Sequence, residues 1–219
     1  MTTLDDSRVA AALTRMYAES DRQMAQLRAR GPADRARLHQ ATAQERADAL
    51  SDIYMPVTPA AGRLLYMLVR ATRPATIVEF GMSFGLSAVH LAAGVRDNGT
   101  GRVITTELSK AKIAAAAQTF AETGLADLIT IVEGDAVATL AEVPAPVDLV
   151  LLDGWKELYL PVLRVLDPKL SSGALVIADN TEMSDTKPYL DYVRNPANGY
   201  TSVNFAARDT DSMEISGRV

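Results

Sequence analysis

The sequence predicts an α/β fold in which N-terminal helices precede a doubly wound, mostly parallel sheet. Before Thr76, apolar residues recur at three-, four- and seven-residue intervals, which is the spacing of one face of a helix. From Thr76 onwards, short apolar runs alternate with helical segments, as is typical of βαβ units. The C-terminal stretch TSVNFAARDTDSMEISGRV contains two strand-like runs around a polar turn, which predicts an antiparallel hairpin.

The N-terminal segment, residues 1–53, is predicted to be helical. Its first helix ends at Gly31-Pro32, and its apolar face contains Val9, Leu13, Met16, Tyr17, Met24 and Leu27. A second, shorter helix follows in TAQERADALSDIY, and a third begins after Pro56. Because the first helix has an apolar face and no strand of its own, we expect it to pack over the functional site or against a second subunit.

Five apolar runs predict parallel strands that are buried on both faces, and the hairpin extends them to a Rossmann-like sheet of seven strands. The runs are TIVEF, RVITTEL, ITIVEGD, VDLVLLDG and GALVIADN. We expect residues 54–219 to form this core within a single domain of residues 1–219, since 219 residues bury one substantial core. Ligands of such sheets bind beyond the carboxyl ends of the strands.

Composition narrows the classes of function. A net charge of −5 argues against a nucleic-acid partner and favours small-molecule chemistry. The chain has no cysteine and two histidines, which excludes thiolate zinc sites, cysteine nucleophiles and histidine-rich metal sites. The N-terminus is acidic, and no run approaches the roughly 18 apolar residues of a membrane helix. We therefore expect a cytoplasmic protein that does not contact a membrane.

The turn after the first strand, in TIVEFGMSFGLSAVHLA, is rich in glycine. A dinucleotide fingerprint that began at Gly81 would require glycine where the chain has Ser83 and Leu86, so a pyrophosphate ligand is disfavoured. The remaining pattern, Glu79-x-Gly81 followed by Gly85, lets backbone approach a ligand closely, and the next helix with Ser87 could hold a carboxylate. A tight turn without any ligand is the alternative.

Acidic residues also follow the second and third strands. Glu107 lies where an acidic side chain accepts both ribose hydroxyls of a nucleoside cofactor, although an exposed glutamate at a helix start would look the same. Asp135 and Ala136 follow the third strand, where an adenine amino group could be met. Asp135 could equally be a helix N-cap.

Oxygen-bearing side chains follow the fourth and fifth predicted strands. Asp153 ends one run, with Lys156 three residues later, and Asp179 and Asn180 end the next run. Neighbouring parallel strands lie about 4.8 Å apart, so these side chains can meet at one point. Two carboxylates and an amide suit a hard cation such as Mg²⁺, whereas helix caps and turns would explain each residue separately.

With these residues identified, the chain resembles the class I S-adenosylmethionine-dependent O-methyltransferases of the catechol O-methyltransferase and caffeoyl-CoA O-methyltransferase type. The resemblance runs from about Tyr54 to the C-terminus, and LLDGWKELYLP together with ADN is its most specific part. It implies that the turn after the first strand binds the methionine end of the cofactor. The implied cofactor-binding residues are Val57, Glu79, Gly81, Ser83, Gly85, Ser87, Glu107, Asp135, Ala136, Asp153 and Trp155.

The same resemblance implies methyl transfer to a hydroxyl of a catechol-like small molecule. Asp153, Asp179 and Asn180 are similar to ligands of Mg²⁺ or another divalent cation such as Mn²⁺ or Ca²⁺, and Lys156 is similar to the catalytic base beside Asp153. The implied acceptor-contacting residues are Met55, Trp155, Lys156, Asn180, Met183 and Glu214. The first helix resembles a segment that covers the site and contributes to dimers in bacterial and plant members, so we expect a homodimer.

The chain departs from this family at two places. Gly154 stands where the mammalian catechol enzyme has histidine, and residues 181–184 replace a proline-rich wall, so the acceptor pocket should differ. Alternatives are a metal-independent methyltransferase, a nicotinamide-dependent oxidoreductase and a non-catalytic cofactor-binding protein. The oxidoreductase would lack its glycine fingerprint and a Tyr-x-x-x-Lys pair, and the non-catalytic protein would not need Lys156.

Overall fold

The computed structural model describes residues 1–28, 38, 40–208 and 211–219, and it has the predicted α/β architecture. The strands are β1 Thr76–Phe80, β2 Arg102–Glu107, β3 Ile129–Glu133, β4 Val147–Leu152, β5 Leu170–Ala178, β6 Tyr200–Arg208 and β7 Asp211–Arg218. The α-helices are α1 Ser7–Arg28, α2 Ala43–Ala49, α3 Pro59–Thr72, α4 Leu86–Asn98, α5 Lys110–Thr123, α6 Ala136–Thr139, α7 Tyr159–Leu166 and α8 Lys187–Val193. Short 3₁₀ turns join several of these elements.

The seven strands form one sheet in the order β3-β2-β1-β4-β5-β7-β6. Strands β1 to β5 pair in parallel, whereas β7 is antiparallel to both β5 and β6. The predicted fold class, including the C-terminal hairpin, is therefore confirmed. The strand order reverses between β1 and β4, and this switch point is where ligands of such sheets bind.

Helices cover both faces of the sheet. One face packs against α1, α3, α4 and α5, and its fully buried strand residues include Ile77, Val103, Leu149 and Ile177. The other face packs against α7 and α8 through Val78, Val150 and Val176. Because neighbouring strand residues point to opposite faces, a continuous apolar run is what a sheet buried on both faces requires.

Local capping signals explain where the helices that flank the site begin. The Thr42 hydroxyl accepts a hydrogen bond from the Glu45 amide, and the Glu45 carboxylate accepts one from the Thr42 amide, so α2 starts with a capping box. Helix α3 begins at Pro59 after the N-cap Thr58. The Ser109 hydroxyl caps α5 directly after β2.

Helix α1 packs on its own chain. Val9 and Met16 are at most 1% exposed and belong to the core that contains Leu86 and Phe120 from α4 and α5. This packing accounts for the burial of Val9 and Met16 within one chain. The side chains of Met24 and Leu27, and the predicted helix end at Gly31-Pro32, lie outside the described residues.

Among the described helices, none combines the length and apolarity needed to cross a membrane.

Candidate functional site

The loops that follow β1, β4 and β5 are joined by backbone hydrogen bonds. The Asp153 amide donates to the Phe80 carbonyl at 2.8 Å, and the Asp179 amide donates to the Leu152 carbonyl at 3.0 Å. These bonds continue the sheet by one residue beyond the strand ends. Asp153 and Asp179 are therefore placed by backbone geometry on neighbouring strands, as the sequence predicted.

The glycine turn after β1 is shaped by contacts within the protein. Gly81 has φ +97° and Gly85 has φ +87°, a region that favours glycine. A Cβ on Gly81 would lie 2.5 Å from the Gly154 amide nitrogen, and a Cβ on Gly85 would lie 2.6 Å from the Phe120 ring. In the structure these glycines allow close approach of protein atoms, and the close approach of a ligand that the sequence reasoning assigned to them stays a prediction.

Packing also explains why residue 154, where the chain departs from the family pattern, is a glycine. A Cβ at this position would lie 2.3 Å from the Phe80 ring. Phe80 is 6% exposed at the end of β1, so its ring fills the space that a larger residue 154 would need. A histidine cannot fit here unless Phe80 moves.

Glu79 is a fully buried carboxylate with one unpaired oxygen. The Thr105 hydroxyl donates to Oε2, while Oε1 has no hydrogen-bond partner among the described residues. Burial raises the pKa of Glu79 to about 7, and the nearby Ser87 and Thr105 hydroxyls oppose that rise. A buried acceptor without a donor costs free energy, so a cationic or hydrogen-bonding ligand would fit this position.

The Glu107 carboxylate is held by backbone amides at the end of β2. Its Oε1 accepts from Leu108 and Ser109 at 2.8 and 2.9 Å, and its Oε2 accepts from Ser83 at 2.8 Å. A carboxylate offers about four acceptor positions, so about one remains. The contact of Glu107 with both ribose hydroxyls, which the sequence reasoning assigned to it, stays a prediction.

Lys112 lies beside Glu107 and was not singled out from the sequence. The residue is 2% exposed, and its Nζ donates to the Ser83 hydroxyl at 3.3 Å. Burial lowers the pKa of Lys112, while Glu107 and Asp52 oppose that change. A helical lysine reads as a solvated residue in sequence, so only the packing of α5 against the turn after β1 reveals this contact.

A cavity of about 430 Å³ opens beside the carboxyl ends of β2 and β3. Its walls include Gln44 and Asp48 from α2, Leu108 and Ser109 after β2, and Gly134 after β3. This is the region where the sequence predicts the nucleoside part of the cofactor.

Asp135 forms a helix N-cap next to this cavity. Its Oδ1 accepts the Val137 amide at 2.9 Å, which is the alternative role that the sequence left open. Ala136 is buried below it. Contacts of these two residues with a cofactor remain predictions.

The predicted metal ligands lie together at the ends of β4 and β5. Burial raises the pKa of Asp153; Lys156 opposes this, and the nearby Asp179 carboxylate adds to it. Asn180, at φ +57°, donates its Nδ2 to the Asp211 Oδ2 at 2.6 Å, which leaves the amide oxygen for another partner. In the described part of the chain, no three Asp, Glu, His or Cys side chains cluster closely enough to hold a metal by themselves. Two carboxylates and one amide oxygen nevertheless form a donor set that fits Mg²⁺.

Lys156 is held beside this group by two hydrogen bonds. Its Nζ lies 3.3 Å from the Asp153 Oδ1 and 2.7 Å from the Tyr159 hydroxyl. The Tyr159 hydroxyl donates in turn to the Asp179 carbonyl at 2.9 Å and is fully buried. Tyr159 thus connects the predicted base with the backbone of a predicted metal ligand, a link that the sequence analysis missed.

Helix α2 closes over Trp155. The Arg46 guanidinium lies 4.5 Å from the centre of the Trp155 ring and forms an ion pair with Glu157. The Arg46 side chain is 13% exposed, so the contact is largely shielded from water. Helix α2 of the N-terminal segment therefore reaches the strand ends, and the expectation that the first helix packs over the site or against a second subunit stays a prediction.

The remaining predicted residues differ in their surroundings. Val57 belongs to the buried core, Met55 is half-buried, and Met183 is 51% exposed after β5. Glu214 requires a correction, because it is 1% exposed and both its carboxylate oxygens accept from Arg194 at 2.8 and 2.7 Å. An acceptor hydroxyl could reach this carboxylate only by displacing Arg194.

Comparisons with known proteins agree with this fold. The family described as Methyltransferase domain matches residues 78–181. The chain is 30% identical over 147 residues to catechol O-methyltransferase from Mus musculus, and this match covers 64% of this chain and 55% of that protein. It is 30% identical over 140 residues to catechol O-methyltransferase from Sus scrofa, which covers 61% of this chain and 74% of that protein. The O-methyltransferase from Bacillus cereus, solved in complex with SAH, matches with a TM-score of 0.70 at 19% identity, covering 83% of this chain and 90% of that chain.

The sheet order and these matches place the chain among the class I methyltransferases. More specifically, it belongs to the S-adenosylmethionine-dependent O-methyltransferases of the catechol O-methyltransferase and caffeoyl-CoA O-methyltransferase type. The chain spans 55% of the length of the mouse relative.

Proposed function

We propose that this protein transfers the methyl group of S-adenosylmethionine to one hydroxyl of a catechol-like small molecule and that it uses a divalent cation such as Mg²⁺. The observation that carries the proposal is the group of oxygen donors from Asp153, Asp179 and Asn180 next to the Lys156 amine. The similarity to the mouse and pig catechol O-methyltransferases supports the same acceptor class.

The cofactor would lie along the carboxyl ends of β1 and β2. The unpaired Glu79 Oε1 suits the ammonium group of the methionine end, and the remaining acceptor position of Glu107 suits a ribose hydroxyl. The cavity between α2 and Gly134 has room for the adenine. Arg46 and Trp155 would close this region and exclude water.

A divalent cation, when bound, would favour ionisation of the reacting hydroxyl. Asp153, Asp179 and Asn180 would hold that cation through three oxygen atoms. The Lys156 Nζ would take the proton of the hydroxyl, and Tyr159 would keep this amine in place through its 2.7 Å contact. Because sulfonium and oxyanion charges neutralise each other during transfer, the protein contributes mainly by positioning the reactants.

The test uses labelled S-adenosylmethionine with a panel of catechols, with and without EDTA. We expect label transfer that EDTA abolishes and Mg²⁺ restores. Asp179→Ala should remove most of this activity, whereas Lys156→Ala should lower turnover by roughly 10²–10⁴-fold and leave the Mg²⁺ requirement intact. Asp191→Ala and Lys187→Ala, which break an exposed ion pair on α8, are matched controls that should leave activity unchanged.

Each alternative gives a different result in the same assay. Transfer that is indifferent to EDTA would leave a metal-independent methyltransferase. Binding of NADH with no affinity for S-adenosylmethionine would indicate an oxidoreductase instead. Binding of the cofactor without transfer to any acceptor would favour a non-catalytic protein.

The assembly is a separate part of the proposal. A homodimer remains our expectation, although Val9 and Met16 of α1 are buried in the core of the same chain. The mass in solution, measured by light scattering, decides this point.

A further inference from the structure

Asp211, the first residue of β7, contacts the loop after β5. Its Oδ2 accepts a hydrogen bond from the Asn180 Nδ2 at 2.6 Å, across 31 residues of sequence. Its Oδ1 accepts the amide of the following residue, Ser212, at 2.9 Å. The carboxylate is therefore held at both oxygens, and its orientation toward Asn180 is fixed.

This contact decides which end of the Asn180 amide faces Asp211. An ionised carboxylate only accepts hydrogen bonds, so the amide nitrogen must point toward it and the amide oxygen away from it. An asparagine without such a partner can turn by half a rotation and exchange its oxygen and nitrogen. A cation would then meet N–H donors in place of an oxygen ligand.

The backbone around Asp211 is braced against the same loop. The Thr181 amide donates to the Ser212 carbonyl at 2.9 Å, and the hydroxyls of Thr181 and Ser212 lie 2.6 Å apart. The Asn204 amide group on β6 donates to both hydroxyls, at 3.0 and 3.2 Å. The start of β7 and the loop after β5 are thus joined by several hydrogen bonds.

We propose that Asp211 is a positioning residue for the cation site, which orients the Asn180 amide so that its oxygen serves as the ligand. The inference rests on the metal dependence proposed above. Hydrogen-bond partners of metal ligands typically change metal affinity by about 10–100-fold when they are removed. Asp211→Ala should therefore weaken cation binding by about that factor without removing any ligand atom.

The experiment measures Mn²⁺ affinity in the absence of acceptor, by electron paramagnetic resonance and by calorimetry. Four proteins form a cycle: wild type, Asp211→Ala, Asn180→Ala and the double variant. Because Asp211 acts through Asn180, its removal should matter in the wild type and have little effect once Asn180 is alanine. Asp191→Ala removes an exposed carboxylate elsewhere and should leave Mn²⁺ affinity unchanged.

Two outcomes would overturn the inference alone. Equal Mn²⁺ affinity of Asp211→Ala and wild type would show that the contact is not needed, and equal losses in both backgrounds would show that Asp211 acts by its charge. If Asp211→Ala does not fold, Asp211→Leu, which likewise offers no acceptor to Asn180, replaces it, with thermal unfolding in EDTA as the check. A wild type that binds no Mn²⁺ would overturn this inference and the proposed metal dependence together.

Discussion

Gly81→Ala tests whether the turn after β1 and the loop after β4 are packed in direct backbone contact. The added Cβ would lie 2.5 and 2.6 Å from the nitrogen and Cα of Gly154, distances at which one backbone must move. Left-handed strain at φ +97° costs about 1–2 kcal/mol. Displacement of a packed segment adds about 1–3 kcal/mol, so the free energy of unfolding should fall by about 2–5 kcal/mol.

Gly99→Ala provides the matched control. Gly99 ends α4 at φ +71°, and a Cβ there would have no atom within 4 Å, so this variant carries the strain alone. Each kcal/mol shifts the melting temperature by about 2–4 °C for a chain of this size. We expect Gly81→Ala to melt about 2–12 °C below Gly99→Ala in calorimetric scans.

The displaced loop carries Asp153 and Trp155, which gives a second measurement of the same variant. Affinity for S-adenosylhomocysteine should fall with stability in Gly81→Ala and stay unchanged in Gly99→Ala. Equal melting temperatures of the two variants would refute the packing argument. Normal stability combined with lost affinity would return Gly81 to the ligand contact that the sequence first indicated.

Two further predictions concern Arg46 and Glu79. Arg46→Ala should expose Trp155, the single tryptophan, so its emission should shift to the red and cofactor dissociation should accelerate, whereas Arg22→Ala on the exposed part of α1 should change neither. Glu79→Gln should flatten the pH dependence of the unfolding free energy. The unfolded chain loses this proton near pH 4.5 and the native protein near pH 7, so wild-type stability should fall by about 3 kcal/mol as pH rises through that window. Urea titrations of both proteins between pH 4.5 and 8 measure the difference, and parallel curves would contradict the buried, unpaired carboxylate.

The strands of the sheet could be predicted because each strand is encoded by its own short stretch of sequence. Buried parallel strands require continuous apolar runs. Each of the five predicted runs, from the one that starts at Thr76 to the one that contains Ala178, forms a strand. The backbone then fixes the strand ends, so Asp153 and Asp179 could be placed on neighbouring strands from sequence alone.

The partner of an amphipathic helix is not a local property. The periodicity of α1 predicts that Val9 and Met16 are buried, but it does not predict which elements they pack against. In the structure these side chains meet α4 and α5, and α2 reaches Trp155 through one arginine. Polar residues such as Lys112 and Arg46 resemble solvated helix residues until the packing of their helices is known.

The acidic residues of β7 show most clearly that strand register could not be predicted from the sequence. Glu214 was singled out as a contact of the acceptor, yet β7 pairs it with Ala178, on the sheet face where Arg194 binds it. Continuing this antiparallel register by two residues places Asn180 opposite Ser212, next to Asp211. Alternation along a strand fixes which residues share a face but not how far one strand is shifted along its neighbour in steps of two. The pairing of β7 with β5 sets this shift. As a result Asp211, three residues before Glu214, is the acidic residue of β7 that contacts the proposed metal ligand Asn180.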